Sequence, residues 1–189
     1  MELKTERLKL KEPSLSDLKK IHELHSLPET DEFNTLGIPD TIEVTSQIVS
    51  GWLASQDELP RKKYVFCIEN NEKEFIGLIG INIGRPVYRN AEIWFKLHSK
   101  HWNKGYATEV VNSILHFSFV DLKLHRIKAG CAVGNLASKK VLEKVGMTKE
   151  GLCRKNLPIR GEWVDNFEFA ILETDFDNTK YLYNDTKLD

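Results

Sequence analysis

The chain has 189 residues, of which 41% are hydrophobic and 29% are charged, and its formal net charge is −1. This length and composition suit one soluble globular domain, and a net charge near zero argues against nucleic acid as a partner. The three cysteines are widely spaced, which argues against a disulfide framework and against a zinc site. Met1–Lys4 begins no signal peptide, and no apolar run reaches the roughly 18 residues of a membrane span. We therefore expect a cytoplasmic protein that binds neither a metal ion nor a membrane.

The N-terminal part of the chain predicts one strand and two helices. A strand over residues 3–10 has leucines alternating with charged residues, and Pro13 ends it. Apolar residues at helical spacing predict a helix over residues 18–25 and a second helix from Thr41 to Trp52. Between these helices, residues 26–41 contain two prolines and a glycine and are expected to form a loop.

The middle of the chain predicts a hairpin, a further strand and a long helix. Residues 64–69 and 75–83 have the pattern of two strands joined by a turn at residues 70–73. An apolar strand follows at residues 91–97. The helix predicted over residues 106–120 has a broad apolar face, which we expect to be buried against the sheet.

The C-terminal part predicts three more strands and one helix. A strand over residues 125–133 leads into a helix that Asn135 caps and that Gly146 ends. Two further strands follow at residues 147–157 and 162–172.

The loop that joins the strand at 91–97 to the next helix has the features of a phosphate-binding turn. The first backbone N–H groups of a helix have no internal partner, and the helix dipole places positive charge beside them. Gly105 allows a tight turn, Asn103 tolerates left-handed geometry, and Lys104 adds a positive charge. Neither a Walker nor a Rossmann glycine pattern is present. The alternative is an ordinary strand–loop–helix connection with an incidental glycine.

Five sequence stretches, in this order along the chain, carry a resemblance to a known family. They are Thr5–Leu10, Trp102–Glu109, Arg126–Ala129, Asn135–Met147 and Glu150–Gly151. Together they resemble the acetyl-CoA-binding core of the GNAT superfamily of N-acetyltransferases. The branch that they resemble most is the ribosomal-protein-alanine (N-terminal) acetyltransferase-like proteins.

The resemblance implies an α/β (α+β) GNAT fold, in which helices flank a mixed, mostly antiparallel sheet of about seven strands. A single domain would cover residues 1–174, followed by a polar tail at residues 175–189. Acetyl-CoA would lie in a V-shaped gap between the strand at 91–97 and the strand at 125–133. Asn103 departs from the branch, which prefers glycine at that position.

The resemblance also implies which residues hold acetyl-CoA, the expected co-substrate. The pantetheine arm would pair with the backbone of the strand before the loop, and the pyrophosphate would meet the amides of residues 103–108. The implied cofactor-binding residues are Phe95, Lys96, Leu97, Trp102, Asn103, Lys104, Gly105, Tyr106, Ala107, Thr108, Asn135, Ser138 and Lys140.

Glu92 and Ser138 are the predicted catalytic residues. Glu92 lies on the strand beside the expected thioester site, where a carboxylate can take the proton of the attacking amine. In the branch that the chain resembles, a serine at the position of Ser138 is proposed to protonate the leaving thiolate. Asn135 can contact pantetheine through its amide, or it can act only as a helix cap. Ser138 also has a purely structural alternative in the same cap region.

Three other polar residues near the loop have open roles. Glu109 is a second candidate base, but a carboxylate in the first turn of a helix already stabilises the helix dipole. His98 and His101 flank the loop and are either proton shuttles or exposed turn residues.

The predicted function is transfer of acetyl from acetyl-CoA to a primary amine, with a protein N-terminal α-amine as the lead acceptor. An N-terminal amine has a pKa near ~7.7–8.0, against ~10.4 for lysine, so a modest base suffices. The alternatives are a small amine, such as a polyamine or an antibiotic, and a catalytically silent module that only binds CoA. The resemblance also implies a homodimer.

Overall fold

A computed structural model of the chain describes residues 1–177, which contain eight β-strands and five α-helices. The strands are β1 Glu2–Lys4, β2 Leu8–Lys11, β3 Lys63–Asn70, β4 Phe75–Ile83, β5 Asn90–Leu97, β6 Arg126–Ala132, β7 Thr148–Ile159 and β8 Glu162–Leu172. The helices are α1 Leu18–Ser26, α2 Pro28–Asp31, α3 Ile42–Ala54, α4 Tyr106–His116 and α5 Leu136–Lys144.

The strands form one sheet in the order β1-β2-β3-β4-β5-β6-β8-β7. Every neighbouring pair is antiparallel except β5 and β6, which are parallel. The prediction of a mixed, mostly antiparallel sheet flanked by helices is therefore confirmed.

The sheet has one strand more than predicted because the first strand is a hairpin. The chain reverses at Thr5, whose N–H donates to the carbonyl of Leu8 at 2.8 Å. The N–H of Leu8 in turn donates to Thr5 Oγ1 at 2.9 Å. Leu3 and Leu10 then face each other across β1 and β2. The alternating leucines that predicted one strand therefore belong to the two arms of a hairpin.

Two other predicted elements differ in detail. The loop expected over residues 26–41 contains the short helix α2. The helix expected to reach Val120 leaves α-helical geometry after His116 and continues as a π-helical turn, Phe117–Asp121. Within residues 1–177, no helix is long and apolar enough to cross a membrane.

The predicted polar tail begins at residue 175, and its part from residue 178 onward lies outside the described residues. Before that point, Phe176 packs its ring against Phe119 at a centroid distance of 5.2 Å. The domain boundary at residue 174 stays a prediction.

The sheet opens between β5 and β6. These strands are paired only at Asn90–Arg126, Ala91–Ile127 and Glu92–Lys128. Beyond Glu92, β5 continues alongside β4, whereas β6 continues alongside β8. The two strands therefore diverge toward their C-terminal ends, and α4 and α5 begin beyond those ends. This geometry is the V-shaped gap that the resemblance implies.

Apolar cores lie on both faces of the sheet and hold β5 from two sides. Ile93 and Leu97 belong to the core beneath α4 and α5. Trp94 points the other way and packs against Trp52 of α3, with ring centroids 6.0 Å apart. Side chains alternate along a strand, so Lys96 shares the face of Trp94. Burial of each large aliphatic side chain contributes about 1.5–3 kcal/mol to the free energy of folding. The two cores therefore hold β5 firmly beside the gap.

Candidate active site

A cavity of about 660 Å³ lies where the gap opens. Its walls are the end of β5, the N-terminus of α4, the N-terminus of α5, and α2 with the loop after it. All but one of the predicted cofactor-binding residues line it, namely Phe95, Lys96, Leu97, Trp102, Asn103, Gly105, Tyr106, Ala107, Thr108, Asn135, Ser138 and Lys140. The structure therefore brings together residues that are up to 45 positions apart (95 to 140) around one cavity. Their roles as ligands stay predictions.

The turn before α4 presents backbone N–H groups to the cavity. Asn103 and Gly105 both have left-handed backbone angles, with φ of 60° and 80°. Among the described residues, no side chain caps the N-terminus of α4. The N–H groups of Tyr106, Ala107 and Thr108 at this end of the helix have no intrahelical acceptor, and the helix dipole makes them attractive to an anion. A phosphate group fits this arrangement.

Gly105 leaves room for a ligand at this turn. A Cβ at Gly105 would meet only one described atom within 4 Å, the Nη2 of Arg7 at 3.4 Å. A larger side chain would therefore first meet the guanidinium of Arg7, at a turn that lines the cavity. At φ of 80°, any residue other than glycine would also be strained.

The N-terminus of α5 is capped by its own sequence. Asn135 Oδ1 accepts a hydrogen bond from the N–H of Ser138 at 3.0 Å, so the capping role of Asn135 is shown. Ser138 lies beside the thiol of Cys131, whose pKa burial raises to about 11 even though Ser138 acts in the opposite direction. Lys140 and Lys144 line the same wall and make it cationic.

Trp102 ties the loop to the end of β5. Its indole Nε1 donates to the carbonyl oxygen of Leu97 at 2.8 Å. This bond fixes where the loop begins, and it occupies a carbonyl that the pantetheine arm was expected to meet.

Two predicted site residues do not line the cavity. Lys104 is exposed on the outer side of the turn, and its backbone carbonyl accepts a hydrogen bond from Arg7 at 3.0 Å. Glu92 occupies the last paired position of β5 and β6, where the pairing closes the gap. Its side chain is 46% exposed and forms an ion pair with Lys128 at 3.0 Å. Its role as the base stays a hypothesis.

Lys96 is the most unusual titratable group of the cavity wall. Its ammonium nitrogen is buried without a hydrogen-bond partner among the described residues. Burial lowers the pKa of Lys96 to about 8, although the charge of Asp31 acts in the opposite direction. On the same side of the sheet, burial lowers the pKa of His25 to about 4, and the charge of Lys96 adds to that effect.

The cavity wall formed by α2 and the loop after it consists of residues that the sequence gave no reason to select. It comprises Glu29, Thr30, Glu32, Phe33 and Asn34, from α2 and the loop after it. Phe33 crosses to the other side of the gap, where a Cβ at Gly134 would lie 3.0 Å from its ring. Asp31 accepts a hydrogen bond from Nε of Arg160 at 3.1 Å, so the β7–β8 turn holds α2 in place. These contacts join distant parts of the chain and have no sequence motif.

His101 was expected to be an exposed turn residue, and this is wrong. It is only 3% exposed, and it lines the cavity. Burial and the charges of Lys104 and Lys100 lower its pKa. The short turn that follows β5 folds the imidazole inward against Tyr106, with ring centroids 6.3 Å apart. Glu109 has the structural role that was favoured for it, since it binds the turn at Thr5 and Arg7. In residues 1–177 no group of three or more His, Cys, Asp or Glu side chains is placed to hold a metal ion.

Comparison with known proteins connects this geometry to one family. The family model described as an acetyltransferase (GNAT) domain matches residues 7–148. The probable N-acetyltransferase YjcK of Bacillus subtilis is 42% identical over 106 residues, which are 56% of this chain and 59% of YjcK. The alignment with YnaD of the same organism likewise spans only half of that relative's length. YoaA, an uncharacterized N-acetyltransferase of Bacillus subtilis, is 30% identical over 90% of this chain and 96% of its own length.

Similar proteins with named substrates differ in their acceptors. The [ribosomal protein uS5]-alanine N-acetyltransferase of Escherichia coli is 26% identical over 60% of this chain and 59% of its own length. Among solved structures, an acetyltransferase of the GNAT family from Bacillus anthracis has a TM-score of 0.80 and 31% identity, with 92% of this chain and 99% of that chain covered. The spermidine N-acetyltransferase of Vibrio cholerae, in complex with CoA and spermine, has a TM-score of 0.80 at 23% identity, with 90% and 98% covered. At that identity the likeness shows the fold alone.

Proposed function

The chain belongs to the GNAT acetyltransferase family, and from that premise we propose that it transfers acetyl from acetyl-CoA to a primary amine. Enzymes of this family use acetyl-CoA, and one structural neighbour holds CoA. The observation that carries the proposal is the cavity itself. It joins the free end of β5 to the uncapped N-terminus of α4.

The chain's own residues supply the parts that acetyl-CoA needs. The amides of residues 103–108 bind the pyrophosphate, and Lys140 adds a positive charge to the neighbouring wall. The backbone of Phe95 offers hydrogen bonds to the pantetheine arm, because β6 does not pair with β5 at this level. The backbone of the neighbouring Lys96 faces β4 instead. Asn135 and Ser138 lie on the facing wall. A backbone N–H of β5 beside the gap polarises the thioester carbonyl by donating a hydrogen bond to it.

Proton transfer is assigned to Glu92 and Ser138. Glu92 lies at the narrow end of the gap, where it accepts the proton of the attacking amine directly or through a water molecule. When the bond between the thioester carbon and sulfur breaks, Ser138 donates its hydroxyl proton to the leaving thiolate and regains a proton from solvent. Its place at the start of α5, beside the cavity, supports that assignment.

The lead acceptor is a protein N-terminal α-amine. About a tenth of such an amine is neutral at pH 7, so it requires little help to become nucleophilic. The relative that acetylates the alanine of ribosomal protein uS5 supports this acceptor. We place the enzyme in the cytoplasm as a homodimer, and light scattering of the purified protein measures its oligomeric state.

A small cationic amine is the second candidate, and a specific observation favours it. Glu29 and Glu32 line the wall opposite the cationic cofactor side. Two exposed carboxylates at the acceptor end attract a polycation more than a neutral peptide terminus. A structural neighbour, the spermidine N-acetyltransferase of Vibrio cholerae, holds CoA and spermine, which supports this candidate.

Release of free thiol from acetyl-CoA tests the proposal. We expect short peptides with a free N-terminus to be acetylated faster than N-blocked, lysine-containing versions of the same peptides. Spermidine and an aminoglycoside serve as comparison acceptors. If one of these has the higher kcat/KM, the small-amine candidate replaces the N-terminal one. If CoA binds but no amine in the set releases thiol, the protein is a silent CoA-binding module.

A further inference from the structure

The turn between β1 and β2 lies against the loop that is proposed to bind the pyrophosphate. Arg7 donates from Nη1 to the carbonyl of Lys104 at 3.0 Å. Its Nε and Nη2 reach the same carboxylate oxygen of Glu109, at 2.7 and 2.5 Å. Its guanidinium carbon lies 4.9 Å from the centre of the Tyr106 ring. One side chain therefore contacts the loop, the first helical residue and the first helical turn.

Two more contacts fix Glu109 to the same turn. Thr5 Oγ1 donates to Glu109 Oε1 at 2.6 Å, and the backbone N–H of Arg7 donates to the same oxygen at 3.0 Å. The Glu109 side chain is only 11% exposed. Hydrogen bonds to a charged group are stronger than those between neutral groups, so this link between the N-terminus and α4 is strong.

The link matters because of what it does to the phosphate-binding amides. A carboxylate in the first turn of α4 opposes an anion bound at the same helix end. Arg7 neutralises that carboxylate. It also holds the Lys104 carbonyl, which lies between the two left-handed residues Asn103 and Gly105. The loop is therefore fixed in its left-handed shape before any ligand arrives, which lowers the ordering cost of binding.

We propose that Arg7 is a positioning residue for acetyl-CoA: it holds the 103–105 turn in place and neutralises Glu109 beside the phosphate-binding amides. Arg7 does not line the cavity, and its guanidinium nitrogens bind Glu109 and the Lys104 carbonyl, so it acts through the loop. This inference rests on the proposed function, because it assumes that the loop binds CoA.

The test compares Arg7→Ala and Arg7→Lys with a matched control, Arg89→Ala. Arg89 also binds one carboxylate, Glu173 at 3.0 Å, and one backbone carbonyl, that of Lys123 at 2.8 Å, but neither partner belongs to the 103–105 turn or to α4. We expect Arg7→Ala to raise the Kd for CoA and the KM for acetyl-CoA about tenfold, in keeping with the loss of one charge-assisted contact. The kcat at saturation and the KM for the amine should change less than about twofold. Arg7→Lys keeps the positive charge but loses the planar guanidinium that binds two partners at once. Its Kd for CoA should lie between the values of wild type and Arg7→Ala.

The outcomes separate this inference from the proposed function. If wild-type protein does not bind CoA in calorimetry, the proposed function is wrong. If wild type binds CoA and Arg7→Ala binds it equally well, the positioning role is wrong. A fall in kcat together with a rise in both KM values would indicate general damage to the fold, which also contradicts the inference. If Arg7→Ala does not fold, Arg7→Lys decides the question by the same readouts.

Discussion

The two ends of the cavity are built in different ways. The cofactor end is made of two continuous stretches, residues 95–108 and 134–144, and its main feature is backbone geometry at the start of α4. The acceptor end is made of side chains on α2 and the loop after it, held by contacts such as the one from Arg160 to Asp31, which are 129 positions apart. Backbone recognition requires particular residue types at particular spacing, so it leaves a motif. Recognition by packed side chains leaves none.

This difference accounts for what could be inferred about the substrates. The proposed recognition of acetyl-CoA rests on a left-handed glycine, an uncapped helix and nearby lysines. The proposed selection of the amine rests on side chains of α2 and the loop after it, which follow no such pattern.

The largest expected effect is at the backbone of the cofactor end. Gly105→Val should weaken CoA binding by about 10²-fold or more, because the side chain crowds the turn beside the free amides and strains a left-handed residue. Calorimetry measures the Kd. The control is Gly161→Val, since Gly161 has a similar φ of 82°, has nothing within 4 Å of a Cβ, and lies outside the cavity. Equal loss in both variants would mean that backbone strain, and not the site, is responsible.

The next effect concerns the base. Glu92→Gln should lower kcat by about 10²-fold while leaving the KM for acetyl-CoA nearly unchanged, because the amide keeps the shape but cannot take a proton. The measurement is thiol release at saturating amine from pH 6 to 9. Lys128→Met breaks the same ion pair and serves as the control. A rate for Glu92→Gln within a few-fold of wild type would remove Glu92 from the mechanism and direct attention to His98, His101 or water.

A smaller effect is expected on stability at Lys96, in the wall of the cavity. The pKa of Lys96 is about 8 in the folded protein, against roughly 10.4 in an unfolded chain. Below pH 8 both states hold the proton, so burial of the charge destabilises the folded state fully. Between pH 8 and about 10.4 the unfolded state binds more protons, and stability rises with pH.

Lys96→Met should therefore raise the free energy of unfolding by about 2 kcal/mol at pH 7, a figure that discounts the partial exposure of the side chain. The gain should shrink as the pH rises from 8 toward about 10.4. Urea unfolding at several pH values measures it, with the exposed Lys62 changed to Met as the control. A gain that does not depend on pH would show that packing, and not a buried charge, distinguishes this position.

The smallest effect concerns acceptor selection. Glu32→Gln should raise the KM for spermidine about fivefold, because an exposed carboxylate contributes on the order of 1 kcal/mol to an ion pair. The KM for acetyl-CoA should stay the same. Glu58→Gln changes an exposed carboxylate that does not line the cavity, and it should leave both values unchanged. An unchanged spermidine KM in Glu32→Gln would remove the argument for a cationic acceptor.

The sequence predicted most of the fold, because the strands and helices have clear periodicity and caps. Its error at residues 3–10 arose because a hairpin with Leu3 opposite Leu10 has the same alternation as one strand. At the site, the left-handed turn was predictable from Asn103 and Gly105. The burial of His101 was not, because it depends on how the short turn after β5 packs against α4. Arg7 and Phe33 were missed because their partners are far away in the sequence.

The most direct test of the account observes the backbone itself. In an NMR titration with CoA, the amide signals of Tyr106, Ala107 and Thr108 should shift most, together with those of the 103–105 turn. Amides of α3, on the opposite face of the sheet, should move little. Large shifts in α3, or in the loop after α2, with none at the start of α4 would contradict the claim that uncapped backbone amides form the cofactor site.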